Sequence, residues 1–283
     1  MMTLTVFLAV LAAAFLHAGW NALIKAGPSK QTAMFVLTTG HAAIGLAVAA
    51  LHPLPAPQVW PWLLGSALIH TAYQLFLAHA LEQGDLSRVY PIARGTAPLI
   101  VLAVSLALLP DRVAPLSVAG IVTLGAGIAI MARGALRLGE SRRMLPHALG
   151  AAAATAGYTL TDGLGARVSG APVAYVGWLM VLSAVFFTPA IVALKGRGVL
   201  RTGRRGWAVG LLAAAGSFGA YAIAVWAMTR APIALVGALR ETSILFAVLI
   251  GWLAFGERMD RTKALAAALI VTGVILTRLA PTA

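Results

Sequence analysis

Charged side chains interrupt two long apolar segments of this sequence, and they are the first candidates for chemistry. Arg240, Glu241 and Thr242 lie near the middle of the apolar segment 232–255, and Arg94 lies in a similar segment 146 residues earlier. A charge at the centre of a bilayer is costly and normally faces a polar cavity or an opposite charge. A guanidinium group binds a carboxylate through two parallel hydrogen bonds, so these residues suit the binding of an anion or a zwitterion.

Glu241 is also the candidate for proton coupling, because a buried carboxylate beside an arginine can exchange its proton as its surroundings change. Neighbouring residues on a helix point about 100° apart, so Arg240 and Glu241 each require a separate partner. One arrangement brings Arg94 and Arg240 to a common cavity from two sides, with Glu241 partly balancing their charge. The alternative is a structural ion pair between Arg94 and Glu241.

Polar and aromatic side chains at helical spacing mark further segments. His17, Trp20 and Asn21 share one helix face, and Thr155 and Tyr158 occupy the equivalent places 138 residues later. Such a face can line a cavity or hold neighbouring helices together. The expected substrate-binding residues are Trp20, Asn21, Tyr73, Gln74, Tyr90, Arg94, Tyr158, Tyr221, Arg240, Glu241 and Thr242.

The elements that must position these residues are membrane-spanning helices. Hydrophobic residues make up 60% of the 283 positions and charged residues 10%, whereas soluble domains average about 45–50% and about 25%. Lipid offers the backbone no hydrogen-bond partners, so apolar segments of about 20 residues must be helical. We predict an all-α integral membrane protein with ten transmembrane helices, near residues 4–24, 31–51, 59–81, 88–109, 115–133, 145–165, 172–194, 206–228, 232–255 and 261–279.

The ten predicted helices divide into two sets of five. An ungapped shift of 146 residues places the segment 88–133 on the segment 234–279 and superposes the two intramembrane arginines. Because five is an odd number, the second set must enter the membrane from the opposite side. This gives an inverted repeat with a binding site near the midplane. The predicted repeats are residues 1–137 and 138–283.

The charge distribution predicts an orientation. The chain has 21 Lys and Arg against 8 Asp and Glu, a net charge of +13. The connections after the odd-numbered predicted helices hold 15 basic residues, whereas the other connections and the C-terminal end hold 4. The positive-inside rule places the larger set in the cytoplasm and both termini outside the cell membrane, that is, the inner or plasma membrane. Contact with lipid headgroups explains the charge, and no nucleic-acid partner is expected.

The sequence contains no motif for a cofactor, a metal or catalysis. It has no cysteine, which excludes disulfides and thiolate metal sites. The basic segment 195–206 lacks the glycine spacing of a phosphate-binding loop,. Neither the H-E-x-x-H nor the G-x-S-x-G pattern occurs,. We therefore expect no cofactor, no metal and no catalytic residue.

Several short motifs resemble one family of membrane carriers. They are HAGWNALIK near the start, YPIARGTAP around Arg94, and the acidic-arginine pairs Asp111-Arg112 and Glu257-Arg258. With the two sets of five helices, they are similar to the EamA-type branch of the drug/metabolite transporter superfamily over essentially the whole chain. The resemblance implies a ten-helix inverted-repeat carrier that moves small metabolites, often outward, through a cavity lined mainly by helices 1, 3, 4, 6, 8 and 9. Many relatives are thought to keep both termini in the cytoplasm, whereas the charge count here places them outside.

The expected function is that of a secondary carrier that works by alternating access. It would export a small polar metabolite such as an amino acid or an organic acid, coupled to a proton or substrate gradient or uncoupled. A cationic drug exporter, an intramembrane lipid-modifying enzyme and a passive scaffold are the alternatives. Small residues on the helix faces suit close packing. We expect a monomer or a homodimer whose partners are a small-molecule substrate and the lipid bilayer.

Overall fold

The structure is a computed structural model that describes residues 2–25, 30–83, 86–136, 144–255 and 259–280. Every regular element in these ranges is helical, including two 3₁₀ turns at Pro57–Val59 and Arg197–Leu200. The α-helices are α1 (Leu4–Lys25), α2 (Lys30–Ala50), α3 (Trp60–Gln83), α4 (Leu86–Leu108), α5 (Pro115–Leu136), α6 (Met144–Ser169), α7 (Pro172–Lys195), α8 (Arg204–Met228), α9 (Ile233–Arg240), α10 (Ser243–Phe255) and α11 (Arg261–Leu279).

The helices confirm the predicted all-α membrane fold. Six helical stretches in the described ranges are long and apolar enough to cross a bilayer. One of them, Ile233–Leu253, contains both α9 and most of α10. The eleven helices therefore make ten crossings, five in each half of the chain.

The ninth predicted helix, residues 232–255, is broken in the structure, contrary to the prediction of one continuous helix. The amides of Glu241 and Thr242 bond to carbonyls three residues back, at 3.0 and 3.1 Å. The Thr242 hydroxyl donates to the Leu239 carbonyl at 2.7 Å. A threonine side chain that bonds to a nearby carbonyl competes with the regular helix ladder. The break separates α9 from α10 at the charged residues.

The short helix α9 lies at the centre of the molecule. All eight of its residues, Ile233–Arg240, are buried. It contacts α1, α4 and α5 of the first half and α6 and α8 of the second. Side chains at its C-terminal end are therefore placed between the two halves.

α5 and α11 pack so closely that their backbones are in contact. A Cβ atom on Gly120 would lie 2.7 Å from the Gly273 carbonyl oxygen, and a Cβ atom on Gly127 would lie 2.9 Å from that of Ala266. The shift of 146 residues places Gly120 on Ala266 and Gly127 on Gly273, so the repeat exchanges the two contacts. A two-fold axis between the halves produces this kind of exchange. The other pairs follow it, since α1 packs on α8 as α6 packs on α3.

We predict that Gly120→Val destabilises the protein, because the added side chain would meet the α11 backbone at Gly273. Overpacking of a close contact typically costs about 1–3 kcal/mol. Thermal unfolding of the purified protein in detergent would measure the loss. Gly65→Val on α3 is the matched control, because a Cβ atom at Gly65 has no neighbour within 4 Å. Equal melting temperatures for the two variants would contradict the α5–α11 contact.

Candidate functional site

A buried ion pair connects the two halves of the protein. The Arg94 Nε atom donates to Glu241 Oε2 at 2.8 Å, and its Nη2 atom donates to Glu241 Oε1 at 3.0 Å. Arg94 on α4 is 2% exposed and Glu241 at the α9–α10 break is 4% exposed. The two parallel bonds give the bidentate geometry of a strong arginine–carboxylate pair. This pair is the structural alternative that the sequence left open for these residues.

His17 on α1 completes this part of the site. Its Nε2 atom lies 3.2 Å from Arg94 Nη1. Because a guanidinium group can only donate, Nε2 acts as the acceptor and the imidazole proton lies on Nδ1. Trp20 packs edge-on against His17, with ring centroids 5.0 Å apart. Asn21 donates instead to the His17 carbonyl of its own helix at 2.7 Å.

Arg240 is the second buried cation and has a different environment. It is 9% exposed, and its Cζ atom lies 5.1 Å from the ring centroid of Tyr221. Within the described ranges, no carboxylate or other acceptor bonds to its guanidinium group. The repeat explains this difference, because Arg94 pairs with Glu241 and the equivalent partner for Arg240 would be residue 95, which is Gly95. One half carries a paired arginine, and the other half carries an arginine with its donors available.

A small cavity lies beside Arg240 at the level of the helix break. Its volume is about 10 Å³, roughly the space of one water molecule. It is lined by Ala97, Pro98, Val101, Thr155, Thr159, Gly237, Arg240 and Glu241. These residues belong to α4, α6 and the α9–α10 segment, so both halves contribute. The cavity combines hydroxyl groups, one unpaired guanidinium group and apolar walls.

Asp162 on α6 forms the centre of a buried polar cluster next to this cavity. It is 0% exposed and accepts a hydrogen bond from the Tyr175 hydroxyl at 3.1 Å and another from the Tyr221 hydroxyl. The Nε2 atom of His70 lies 3.1 Å from its Oδ2 atom. Tyr221 thus touches Asp162 with its hydroxyl group and Arg240 with its ring. Arg240 and Asp162 are therefore linked through one side chain.

These contacts balance the charges buried in the described part of the transmembrane region. Arg94 and Arg240 are the cations, and Glu241 and Asp162 are the carboxylates. One pair is in direct contact, and the other is separated by Tyr221. The net charge of the four groups is zero, which lowers the cost of keeping them away from water.

The remaining predicted site residues lie at varying distances from the small cavity. Tyr158 stacks on His70 with ring centroids 4.1 Å apart, and Tyr73 packs edge-on against Tyr158. These aromatic rings surround the Asp162 cluster rather than line the small cavity. The buried Oε1 atom of Gln74 has no hydrogen-bond partner in the described ranges. The side chain of Tyr90 lies outside the described residues.

The sequence analysis missed the association of Asp162 with His70, Tyr175 and Tyr221. The signal was present in the match between the first and sixth predicted helices, since Asp162 and Thr159 continue the polar face of Tyr158. The sequence pattern did not indicate which residue pairs with Asp162. Residues 70 and 162 are 92 positions apart, and their contact follows only from the packing of α3 on α6.

A second ion pair closes one end of the bundle. Arg167 donates to both carboxylate oxygens of Asp111, at 2.7 and 2.9 Å. It also donates to the carbonyls of Met228 and Ala231, and Asp111 accepts from the Ile233 amide at 3.0 Å. The pair, which we call the clasp, joins the ends of α4, α6 and α8 to the start of α9.

The clasp ties together helices that also line the small cavity, at a level nearer one face of the membrane. A surface cavity at this end is lined by residues that include Met2, Arg112, Arg230 and Ala280. Both ends of the described chain lie at this end of the bundle, which we call the terminal face. α4, α6 and α9 line the small cavity and are also tied together by the clasp. Thr159 in the small cavity and Arg167 in the clasp are eight positions apart on α6, about 12 Å along the helix axis,.

Comparison with known proteins agrees with this architecture. The sequence pattern of the EamA-like transporter family matches the chain twice, over residues 4–133 and 144–279. One solved crystal structure matches 99% of this chain and 99% of its own chain, with a TM-score of 0.80 and 23% sequence identity. That likeness shows a shared fold. No curated protein matches the chain.

We predict that Arg94→Gln and Glu241→Gln each lower the free energy of unfolding by about 3–5 kcal/mol, because each leaves an uncompensated buried charge. The double variant should lose less than the sum of the two single losses, since neither charge is then left alone. Denaturant titration of the purified protein would give the four values of this double-mutant cycle. Strictly additive losses would contradict the direct pair.

Proposed function

Because the chain belongs to the EamA-like transporter family, a family of membrane transporters, we propose that it is a secondary carrier that exports a small polar metabolite. The substrate class is a compound with a carboxylate group, such as an amino acid or an organic acid. The carrier would work by alternating access around the site between α4, α6 and α9. Its location would be the inner or plasma membrane of the cell.

The unpaired guanidinium group of Arg240 is the observation that carries this proposal. It is a buried cation that lies over the face of Tyr221, has no hydrogen-bond acceptor within the described ranges, and borders a cavity with two threonine hydroxyls. A substrate carboxylate would supply the two acceptors that the protein does not. The alternative substrate, a cationic drug, would lie beside the guanidinium group of Arg240, and like charges repel each other.

The small cavity must enlarge before it can hold a metabolite. We propose that the clasp and the packing around α9 close it toward the terminal face and that substrate would enter from the opposite face. The inverted repeat supplies the counterpart movement, because either half can rock against the other about the α5–α11 contact. Opening toward the terminal face would require the bonds between Asp111 and Arg167 to break.

Glu241 is the proposed group for proton coupling. Its carboxylate holds Arg94 by two hydrogen bonds, and protonation would remove the charge that keeps this pair together. Arg94 would then be free to bind a second anionic group. The count of basic residues by connection supports an orientation in which the terminal face lies outside the cell, so loading would occur from the cytoplasm.

We predict that Arg240→Gln lowers transport of the carboxylate substrate by at least about tenfold, the factor expected from losing one charge-assisted hydrogen bond. The flux of Arg240→Lys should lie between those of the wild-type protein and Arg240→Gln, since lysine keeps the charge but loses the bidentate geometry. Flux in proteoliposomes, screened with labelled amino acids and organic acids, would measure the effect. Arg201→Gln, which removes an exposed arginine of the opposite face, is the matched control.

The melting temperature separates this role from a structural one. Arg240 makes no direct ion pair within the described ranges, so its loss should lower the melting temperature less than the loss of Arg94, which breaks a direct pair. Wild-type flux in Arg240→Gln, or flux of organic cations alone, would overturn the proposed substrate class.

We predict that Arg167→Gln opens the site toward the terminal face. The chain has no cysteine, so Thr159→Cys provides a single thiol at the small cavity. A membrane-impermeant maleimide should label it several-fold faster when Arg167→Gln is added, and it should do so from outside in intact cells. Gln58→Ala is the matched control, since it changes an exposed side chain of the same face, in the α2–α3 connection, that takes no part in the clasp.

Two results would contradict these assignments separately. Equal labelling rates with and without Arg167→Gln would show that the clasp does not close the site. Faster labelling in inside-out vesicles but not in intact cells would keep the clasp and reverse the orientation.

A further inference from the structure

The arginines of the terminal face are not scattered over it. Four basic side chains belong to this face in the sequence, namely Arg112, Arg167, Arg230 and Arg278. Arg167 is engaged in the clasp. The other three line one surface cavity of about 170 Å³. This convergence is unexpected for residues whose only role is to set topology, because that role depends on the number of charges in a connection and not on their position.

The three arginines reach the cavity from different elements. Arg112 lies between α4 and α5, Arg230 lies between α8 and α9, and Arg278 lies near the end of α11. Within the described ranges, no acidic residue lines the cavity and none of the three arginines makes a salt bridge. Like charges held together without a counter-charge repel each other, which is a cost that a bound anion would remove.

Aromatic contacts orient two of these guanidinium groups. The Arg230 Cζ atom lies 5.1 Å from the ring centroid of Trp226, and the Arg278 Cζ atom lies 5.8 Å from that of Phe7. An aromatic face supports the plane of a guanidinium group and leaves its N–H edge available. The arginines are therefore held in place without using their hydrogen-bond donors.

The start of α5 adds further donors. Ser117, in the first turn of α5, lines the cavity together with Ala114, which precedes the helix. The Ser117 hydroxyl has no hydrogen-bond partner within the described ranges. The N-terminal end of a helix carries a partial positive charge and unbonded amides, which favour an anion. This helix end and the three arginines all favour the binding of an anion in the cavity.

We propose that this cavity binds a phosphoryl group, either the headgroup phosphate of an anionic lipid or free inorganic phosphate. Three guanidinium groups match the several acceptor oxygens of a phosphate better than those of a single carboxylate. The cavity is at the end of the membrane-spanning helices, where lipid headgroups lie, and basic pockets between such helices bind anionic headgroups. The bound group would bridge the α4–α5 connection, the α8–α9 connection and α11.

The proposed site is separate from the transport site but adjoins the clasp. Arg112 follows Asp111 directly, and Arg230 precedes Ala231, whose carbonyl accepts from Arg167. A phosphoryl group held between Arg112 and Arg230 would therefore tie the same two connections that the clasp joins. Its binding would favour the state that is closed at the terminal face.

The test uses the purified full chain in a neutral detergent with two probes. One is phosphatidylglycerol, detected as a retained lipid by native mass spectrometry, with phosphatidylcholine for comparison. The other is inorganic phosphate at constant ionic strength, detected as a rise in melting temperature. The variant is Arg112→Gln with Arg278→Gln. The control is Arg201→Gln with Arg204→Gln, which removes two exposed arginines from the opposite face.

We expect the wild-type protein and the control to retain one phosphatidylglycerol at a concentration about tenfold lower than the variant requires, since at least one charge-assisted hydrogen bond is lost. A phosphate-dependent rise in melting temperature that disappears only in the variant would identify the free anion as the ligand. Identical responses of wild type and variant to both probes would overturn the proposal. If the double variant does not fold, Arg112→Gln alone serves, because the Arg112 side chain is exposed.

Discussion

The bond between Arg94 and Glu241 is the interaction on which the rest of the structure depends. Each residue belongs to a different half, and neither could be kept in a membrane without the other. Breaking a buried pair of this kind by removing one partner costs about 3–5 kcal/mol, a large share of the stability of an ordinary domain. The pair needs a carboxylate at the level of Arg94, and the break between α9 and α10 occurs at that level. Glu241 therefore lies at the helix break, is buried, and makes the bond between the two halves.

The two halves are related by the repeat, but the ion pair between Arg94 and Glu241 has no counterpart at Arg240. The α5–α11 contact exchanges Gly120 with Ala266 and Gly127 with Gly273, as a two-fold axis requires. At the site the exchange fails, because Glu241 corresponds to Gly95. A side chain at Gly95 would also meet Ile128, whose Cγ2 atom would lie 2.7 Å from the added Cβ. One arginine is therefore neutralised within the protein, while Arg240 depends on Tyr221 and, beyond it, Asp162. A symmetric site would have left no cation for a substrate.

Much of the fold could be predicted from the sequence, because lipid restricts a spanning backbone to few solutions. Apolar segment length located the helices, and the matched arginines revealed the repeat. The break at Glu241 and Thr242 could not be predicted from hydropathy, which records composition and not backbone turns. The clasp was also missed. Arg167 was counted only as a charge of its connection, since its bond to Asp111 spans 56 positions and depends on how α4 meets α6.

The two bidentate ion pairs are suited to different tasks because they differ in exposure. The side chains of Arg94 and Glu241 are 3% and 5% exposed, whereas those of Arg167 and Asp111 are 28% and 13% exposed. Water can replace part of what the clasp loses when it opens. The same replacement is not available to Arg94. In the proposed transport cycle, the contact at the terminal face would break, and the one at the centre would persist or exchange its partner. Exchange of partner at the centre would require a new anion or a proton, which would couple the binding of cargo to the movement of the halves.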